Sequence, residues 1–481
     1  MAFDITVKHP LYDDFLPSWE LMRDAHDGED DIKAKGEKYL PNKTGIEAIA
    51  LDDPARGAKA YETYKERAEF PDLVALTVRG AVGTMLDKAA VIELPGELEM
   101  LRENATRDGL TLDALHRRIA TEVMLMGRYG VLPSVDQDGT PYLAGYVAES
   151  IINWDVDEKQ NANFLVLDET GPERNTETGE WESVERYREL LIEDGRYMSR
   201  VWTLGENGWA AEKPVEARDR RQIPIPFIPF VFVNTSDLTP SPDDVPLYGL
   251  AKLAVRIYRM DADLTTSLHM TSEPTPVAIG FADPVQAIKD GAVPKGIGAA
   301  AMWVLPEGGD AKYLEFSGPG IQAQLDVIQK NYDRAVMFGA QLLSDQGRSQ
   351  ESGEAKRLRL DSQHATLKGV AMTAAAGLEK ALKNLAVWMR ADPDKVIVEP
   401  NLDFFDHELS AQEIMALVSG WQAGAYSKVT LFERFKKGGL VPEAREFEEE
   451  EELIAQDATM LGGLGARDDD ANEGREDVAD G

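Results

Sequence analysis

The sequence predicts an α+β protein, mainly α, in which a β-rich block sits between helical stretches. Three observations predict it. Leu112, Leu115, Ile119, Val123 and Met126 recur at the three- and four-residue spacing of an amphipathic helix, and the same period returns over 247–271, 320–343 and a run ending at residue 389. Between residues 130 and 235 the pattern changes to short strand-like runs separated by Gly/Asp/Asn clusters. A Gly/Pro-rich stretch, 274–317, lies between two of the helices.

Length and charge bound the rest. At roughly 150 residues per domain, 481 residues suggest about three domains. A hydrophobic share of 43% is that of a folded chain. With 51 Lys+Arg against 86 Asp+Glu the formal net charge is −35, which excludes a protein that holds nucleic acid by wholesale counterion release. It is compatible with nucleic acid sliding past an acidic wall. Cysteine is absent, so disulfides, thiolate catalysis, zinc–cysteine sites and iron–sulfur clusters are excluded, as befits a reducing compartment. Residues 1–10 carry no basic stretch leading into an apolar run, and no window approaches 18 consecutive apolar residues. A protein without a secretory leader or a membrane partner is expected.

In chain order, Trp19, Leu21 and Met22 predict a short helix stopping near Gly28, followed by a charged stretch, 29–38, and a turn at Leu40-Pro41-Asn42. Residues 58–90 read as helix broken at Pro71 and closed by Pro95. The helix of 110–129 has Thr111 as its cap and Gly127 as its stop. Strands are expected at 142–147, 163–167, 197–204 and 227–233, with turns at 136–139 and 205–208. The three prolines Pro224, Pro226 and Pro229 make 223–229 an extended edge or linker. A helix over 247–271 (Leu250, Leu253, Ile257, Leu264, Leu268) and one over 320–343 (Ile321, Leu325, Ile328, Tyr332, Ala335, Leu342) flank the Gly/Pro-rich unit, with small strands at 276–279 and 302–305. A polar loop, 344–353, leads into a long helix, 354–389, on the order of 50 Å at 1.5 Å per residue. After a strand-like 395–398, helix is expected from 410 to 456, and the acidic tail 467–481 is expected to be disordered.

Chemistry-bearing motifs are few. There is no Walker A pattern, and none of His9, His26, His116, His269, His364 and His407 pairs with another at metal-ligand spacing. Gly296-Ile297-Gly298-Ala299-Ala300-Ala301 fits a dinucleotide fingerprint in letters, but Pro294 precedes it where a strand is required. Asp155-Val156-Asp157 opens like a calcium loop and fails at Lys159 and Gln160. Asp261 and Asp263 lie two apart on a helix and point to different faces, most simply a solvated surface. Ser427 reads as a helix cap. No catalytic residue, metal site or cofactor is expected, and the chain is not expected to be an enzyme. The informative feature is architectural: helix, small β unit, helix, polar loop, very long helix. That order fits a stalk with a cap at its tip, or an ordinary helical hairpin with a surface loop.

Trp19, Asp24, Gly28, Ile32-Lys33, Gly36 and Tyr39-Leu40-Pro41 open a pattern that continues through Arg67-Ala68, Asp108-Gly109, Gly127-Arg128-Tyr129-Gly130 and Ile151-Ile152-Asn153-Trp154. It runs on through Pro246-Leu247, Leu268-His269, Tyr313-Leu314-Glu315, Gly339-Ala340, Glu354-Ala355 and Arg357 to Gly424, Ser427, Thr430 and Glu448. In order and spacing, over about residues 10–457, this resembles the tailed-bacteriophage portal proteins of a phage domain-of-unknown-function family. Arg348 to Gly353 departs from the pattern in being longer and more charged.

The resemblance implies a portal fold: a wing at 1–245, stem helices at 246–271 and 319–343 and a small β-containing clip at 272–318. A tunnel loop follows at 344–353, then a long tunnel helix and wing return at 354–405, a helical crown at 406–460 and a disordered acidic tail at 461–481. It implies a head-to-tail connector ring, usually of about twelve subunits, at one capsid vertex of the virion, assembled in the host cytoplasm. Double-stranded DNA would pass through its channel in packaging and ejection without sequence-specific contact. The partners implied are the terminase large subunit, a head–tail adaptor and the major capsid or scaffolding protein. The tunnel-loop residues Ser344, Asp345, Gln346, Gly347, Arg348, Ser349, Gln350 and Glu351 would face the DNA, with Arg348 placed for transient phosphate contact. Another virion ring or adaptor protein is the alternative. Trp303 and Phe338 are candidates for a subunit interface or for the core.

Overall fold

A computed structural model describes residues 3–136, 138–205, 208–271, 275–280, 282–289, 305, 308–314, 319–343, 365–402, 404, 411–442 and 444–465. The fold is mixed α+β, with several small antiparallel sheets among helices. The chain divides into two units, Met1–Leu402 and Asp403–Gly481.

The first unit opens with α1 (Pro10–Asp27), α2 (Glu29–Ala34), α3 (Thr44–Asp52), α4 (Pro54–Arg67) and α5 (Leu73–Met85). The helix expected around Trp19 is thus a full 18-residue element that tolerates Pro17 inside it. Trp19 is completely buried, and its indole N–H donates to the Met126 carbonyl at 3.0 Å. Pro71 separates α4 from α5, as a residue without an amide donor must. Beyond β1 (Val91–Glu93), α6 (Leu112–Met126) begins where Thr111 Oγ1 accepts from the Ala114 amide at 3.2 Å. It ends at Gly127, in the left-handed conformation at φ +74°.

Three sheets follow. β2 (Arg128–Val135) pairs with β3 (Pro141–Val147) and with β12 (Val231–Asn234) in the order β12-β2-β3. The larger sheet holds β4 (Ile151–Val156), β5 (Ala162–Asp168), β8 (Arg186–Glu193), β9 (Arg196–Gly205) and β10 (Gly208–Ala211) in the order β10-β9-β8-β5-β4, with β11 (Val215–Glu216) also on β9. β6 (Gly171–Arg174) and β7 (Trp181–Val184) form a hairpin that pairs with no other strand. The strand expected at 227–233 is confined to β12, because Pro229 has no N–H for the ladder. Tyr146 on β3 and Arg188 on β8 both bond the Glu169 carboxylate, at 2.6 and 2.7 Å, and tie the two sheets together.

Two long side chains mark the junction of sheet and helices. Arg128 is fully buried between the rings of Trp154 and Phe232, 4.3 and 4.7 Å from their centroids, with Nη1 donating to the Pro240 carbonyl at 2.8 Å. Burial lowers its pKa, yet a guanidinium stays charged at neutral pH. Arg23 on α1 reaches Glu122 on α6 at 2.8 Å and Glu149 at 2.9 Å.

The long helix expected at 354–389 is described as α10 (Ala365–Met389), about 37 Å at 1.5 Å per residue; its expected first part lies outside the described residues. α10 packs on α6 and on β2 and β12 through Leu367, Val370, Ala374, Leu378, Leu382 and Leu385, all buried. β15 (Ile397–Glu399) then pairs back with β1. In the second unit the helix expected from 410 to 456 is three: α11 (Ala411–Gln422), α12 (Lys428–Lys437) and α13 (Phe447–Gly465). Gly424 at φ +77° and Gly439 at φ +71° break it, since such φ values end a right-handed helix. Ser427 caps α12, its Oγ accepting from the Thr430 amide at 3.2 Å.

Candidate functional site

Helices α7 (Tyr248–Thr271) and α9 (Pro319–Leu343) pack against each other along the first unit. Asn331, almost fully buried, donates through Nδ2 to Met260 Sδ at 3.4 Å. Met260 lies eleven residues before Thr271 and Asn331 twelve after Pro319, so equal arms run from this contact to the connecting segment. The two helices therefore form an antiparallel pair. Leu250, Leu253, Ile257 and Leu264 are buried on α7, Ile328 and Ala335 on α9. This follows from the 3.6-residue apolar stripe on each.

At the connecting end, β13 (Thr275–Ile279) pairs antiparallel with β14 (Asp310–Leu314), from Thr275↔Leu314 to Ile279↔Asp310. The expected strand at 302–305 is not this partner: the second strand falls at 310–314. Gly280 stands at φ +109°, and a Cβ there would come within 2.6 Å of Gly309 Cα, so two glycines let the strands close at the far end. The short helix α8 (Pro284–Lys289) opens where Asp283 Oδ1 accepts from the Gln286 amide at 3.0 Å, and it exposes Val285 and Ile288.

Near the Met260–Asn331 contact, α7 is tied to the N-terminal helices by carboxylates. Asp263 accepts from the Tyr64 hydroxyl at 2.9 Å and pairs with Lys43 at 2.8 Å. Asp261 Oδ2 accepts from the Glu69 amide at 2.9 Å, and burial raises its pKa although that bond opposes the shift. Burial, then Asp263, pushes the Tyr64 phenol well above its ordinary value. Arg259 Nε donates to the Tyr39 carbonyl at 2.6 Å. The solvated face expected for Asp261 and Asp263 holds only in part: the Asp263 side chain is 49% exposed, yet both residues also bond α4 and the segments around it. The sequence carried no local signal for this, because their partners lie about two hundred positions away.

The remaining site readings fall out as follows. Ser344 to Glu351, the expected DNA-facing loop, lie outside the described residues, as do Gly296 to Ala301, Trp303, His364 and His407. Phe338 is exposed on α9. Asp157 caps its own turn, Oδ1 accepting from the Lys159 and Asn161 amides at 2.8 Å each. Among the described residues no group of three or more His, Asp or Glu side chains is placed to hold a metal ion. No helix among them is long and apolar enough to cross a membrane.

Residues 246–389 match a family described as a domain of unknown function, DUF4055. The match begins just before α7 and ends with α10, so it takes in the helical pair, the segment between its helices and the long helix after it. No curated protein matches the chain. Similar solved structures include two particle necks. One is "Neck of native GTA particle computed with C12 symmetry", at 13% identity and TM-score 0.37, covering 74% of this chain and 86% of that one. The other is "Neck of empty GTA particle computed with C6 symmetry", at 14% identity and TM-score 0.37, covering 77% and 91%. At that TM-score the likeness carries no argument.

Proposed function

We propose that the chain is a portal protein: a ring-forming, non-enzymatic head-to-tail connector at one capsid vertex, through which double-stranded DNA passes. The observation that carries the reading is the antiparallel pair α7–α9 with the β13–β14 ribbon between its helices in sequence, rooted by Asp261 and Asp263 in the N-terminal helices. We read this pair and ribbon as the stem and clip that the sequence resemblance implies at 246–271, 319–343 and 272–318. In this reading the β13–β14 segment docks the terminase and later a tail adaptor, and the loop at 344–353 lines the channel.

The chemistry of passage follows from charge. A ring of chains each carrying −35 presents a wall that repels phosphate over a screening length of about 8 Å in physiological salt. DNA then moves without adhering, and Arg348 supplies brief, sequence-independent phosphate contact.

The test is the native mass of the purified full chain, with negative-stain images of the same sample. Rings of about twelve subunits with a central hole are expected. A species that stays monomeric across salt and concentration overturns the reading. In a packaging assay Arg348→Ala is expected to change the rate or the packaged length; no change removes Arg348 from the mechanism.

A further inference from the structure

The segment before α1 lies as a strap along β4, the last strand of the larger sheet. The His9 backbone N–H donates to the Ile152 carbonyl at 2.9 Å, and Asn153 Nδ2 donates to the Val7 carbonyl at 2.9 Å. Ile5 is buried and anchors the strap further back, whereas Val7 is 54% exposed and Lys8 is exposed too. Residues 6–9 are thus held to the strand by those two bonds and by the His9 ring.

That ring has two contacts. It caps α1, its Nδ1 accepting from the Leu11 amide at 3.2 Å. A ring nitrogen that accepts carries no proton, so the ring is neutral with its hydrogen on Nε2. It also stacks on Trp154, 4.0 Å between centroids and 18° from parallel. The same indole already meets a cation, the buried Arg128 guanidinium at 4.3 Å. Burial and then Arg128, from β2, hold the His9 pKa below its ordinary 6.5, and Asp155, from β4, opposes them. An indole face attracts an imidazolium, but here that attraction and Asp155 together do not prevail. A proton on Nδ1 would also set donor against donor at Leu11.

We propose that His9 is a pH-sensitive latch: protonation of its ring removes the α1 cap and lifts residues 6–9 off the edge of β4, while Ile5 and the sheet stay in place. The strand edge at Ile152–Asn153 is then covered at neutral pH and open in acid. The sign follows from the neutral ring being the latched one. A released ring has the ordinary value of 6.5, so the hold is complete above about pH 6.5 and is lost as pH falls through the lower value of the latched ring. The inference needs one copy of the chain and does not rest on the ring reading.

Hydrogen exchange of the full chain at pH 7.5, 6.5, 5.5 and 5.0, read by mass spectrometry and corrected for the intrinsic effect of pH on exchange, tests it. Peptides spanning residues 6–13 carry the His9 and Leu11 amides. Their protection in the parent is expected to fall on the order of tenfold from pH 7.5 to 5.0, tenfold being one pH unit between the released and latched rings. His9→Asn supplies a side-chain cap that does not titrate, and its protection is expected to stay constant over the same range. Parent protection that does not change with pH overturns the latch. An equal fall in His9→Asn overturns it as well, since the titrating group is then another. A strap whose protection equals that of α10 opens only when the whole unit unfolds, and that result also overturns it.

Discussion

Replacing His116 by leucine is expected to flatten the acid limb of the protein's stability. His116 lies on α6; it is 3% exposed, and its Nε2 has no hydrogen-bond partner. Burial lowers its pKa to about 4, with Asp113 opposing the shift and Arg117 adding to it. The ordinary value is 6.5, so the unfolded chain takes up a proton that the folded chain refuses until about pH 4. The gap is about 2.5 pH units, at about 1.4 kcal/mol each, or about 3.5 kcal/mol. The sign follows: this stability is fully present above about pH 6.5 and is lost as pH falls toward 4. Urea unfolding of the parent and of His116→Leu at pH 7.5, 6.5, 5.5 and 4.5 isolates it, because the carboxylates titrate in both and cancel in the difference. The leucine variant is expected to gain relative to the parent by about 2.5 kcal/mol between pH 7.5 and 4.5. A difference that does not change with pH refutes a neutral, buried imidazole.

Gly377→Ala is expected to destabilise by about 1–3 kcal/mol, because a Cβ at that position would lie 2.4 Å from Val233 Cγ2 and force α10 off β12; a melting temperature equal to the parent's refutes this packing. Asp263→Ala removes the acceptor for Tyr64 and the partner of Lys43 and is expected to cost about 1 kcal/mol. Hydrogen exchange in α4 checks it: protection unchanged from the parent shows that the root of the helical pair does not depend on that carboxylate.

What the sequence made legible was whatever is encoded within one turn or one strand. Thr111 and Gly127 marked both ends of α6 because a cap and a left-handed stop are local chemistry. Pro71 divided α4 from α5 for the same reason. β8 was missed because one of its two buried positions is charged, Glu189 beside the apolar Leu190. Glu189 is nearly fully buried, bonded by Arg200 Nη2 at 2.9 Å and by the Trp202 indole at 2.6 Å, so the buried side of the strand reads as charge. Asp261 and Asp263 failed in the opposite sense: their helical spacing was read correctly, but what faces them comes from α4 and its neighbourhood. A sequence periodicity assigns a face and never its partner.

The surface of α9 bears on the ring proposed above. Its buried stripe, Ile328, Asn331 and Ala335, is used by α7. Leu325 and Val336, eleven residues apart and hence on one line of the helix, are exposed on one flank of that stripe; Val327 and Phe338, also eleven apart, are exposed on the other. A helix with one apolar stripe is complete once it has packed in its own chain. A helix with exposed apolar flanks on both sides of that stripe still offers two different surfaces. Two-fold pairing uses one patch twice and would leave the other flank in water, whereas a head-to-tail contact sets the first flank of one copy against the second flank of the next. Head-to-tail contacts that close on themselves make rings. In the proposed ring, these two flanks are the surfaces that a head-to-tail contact would bring together.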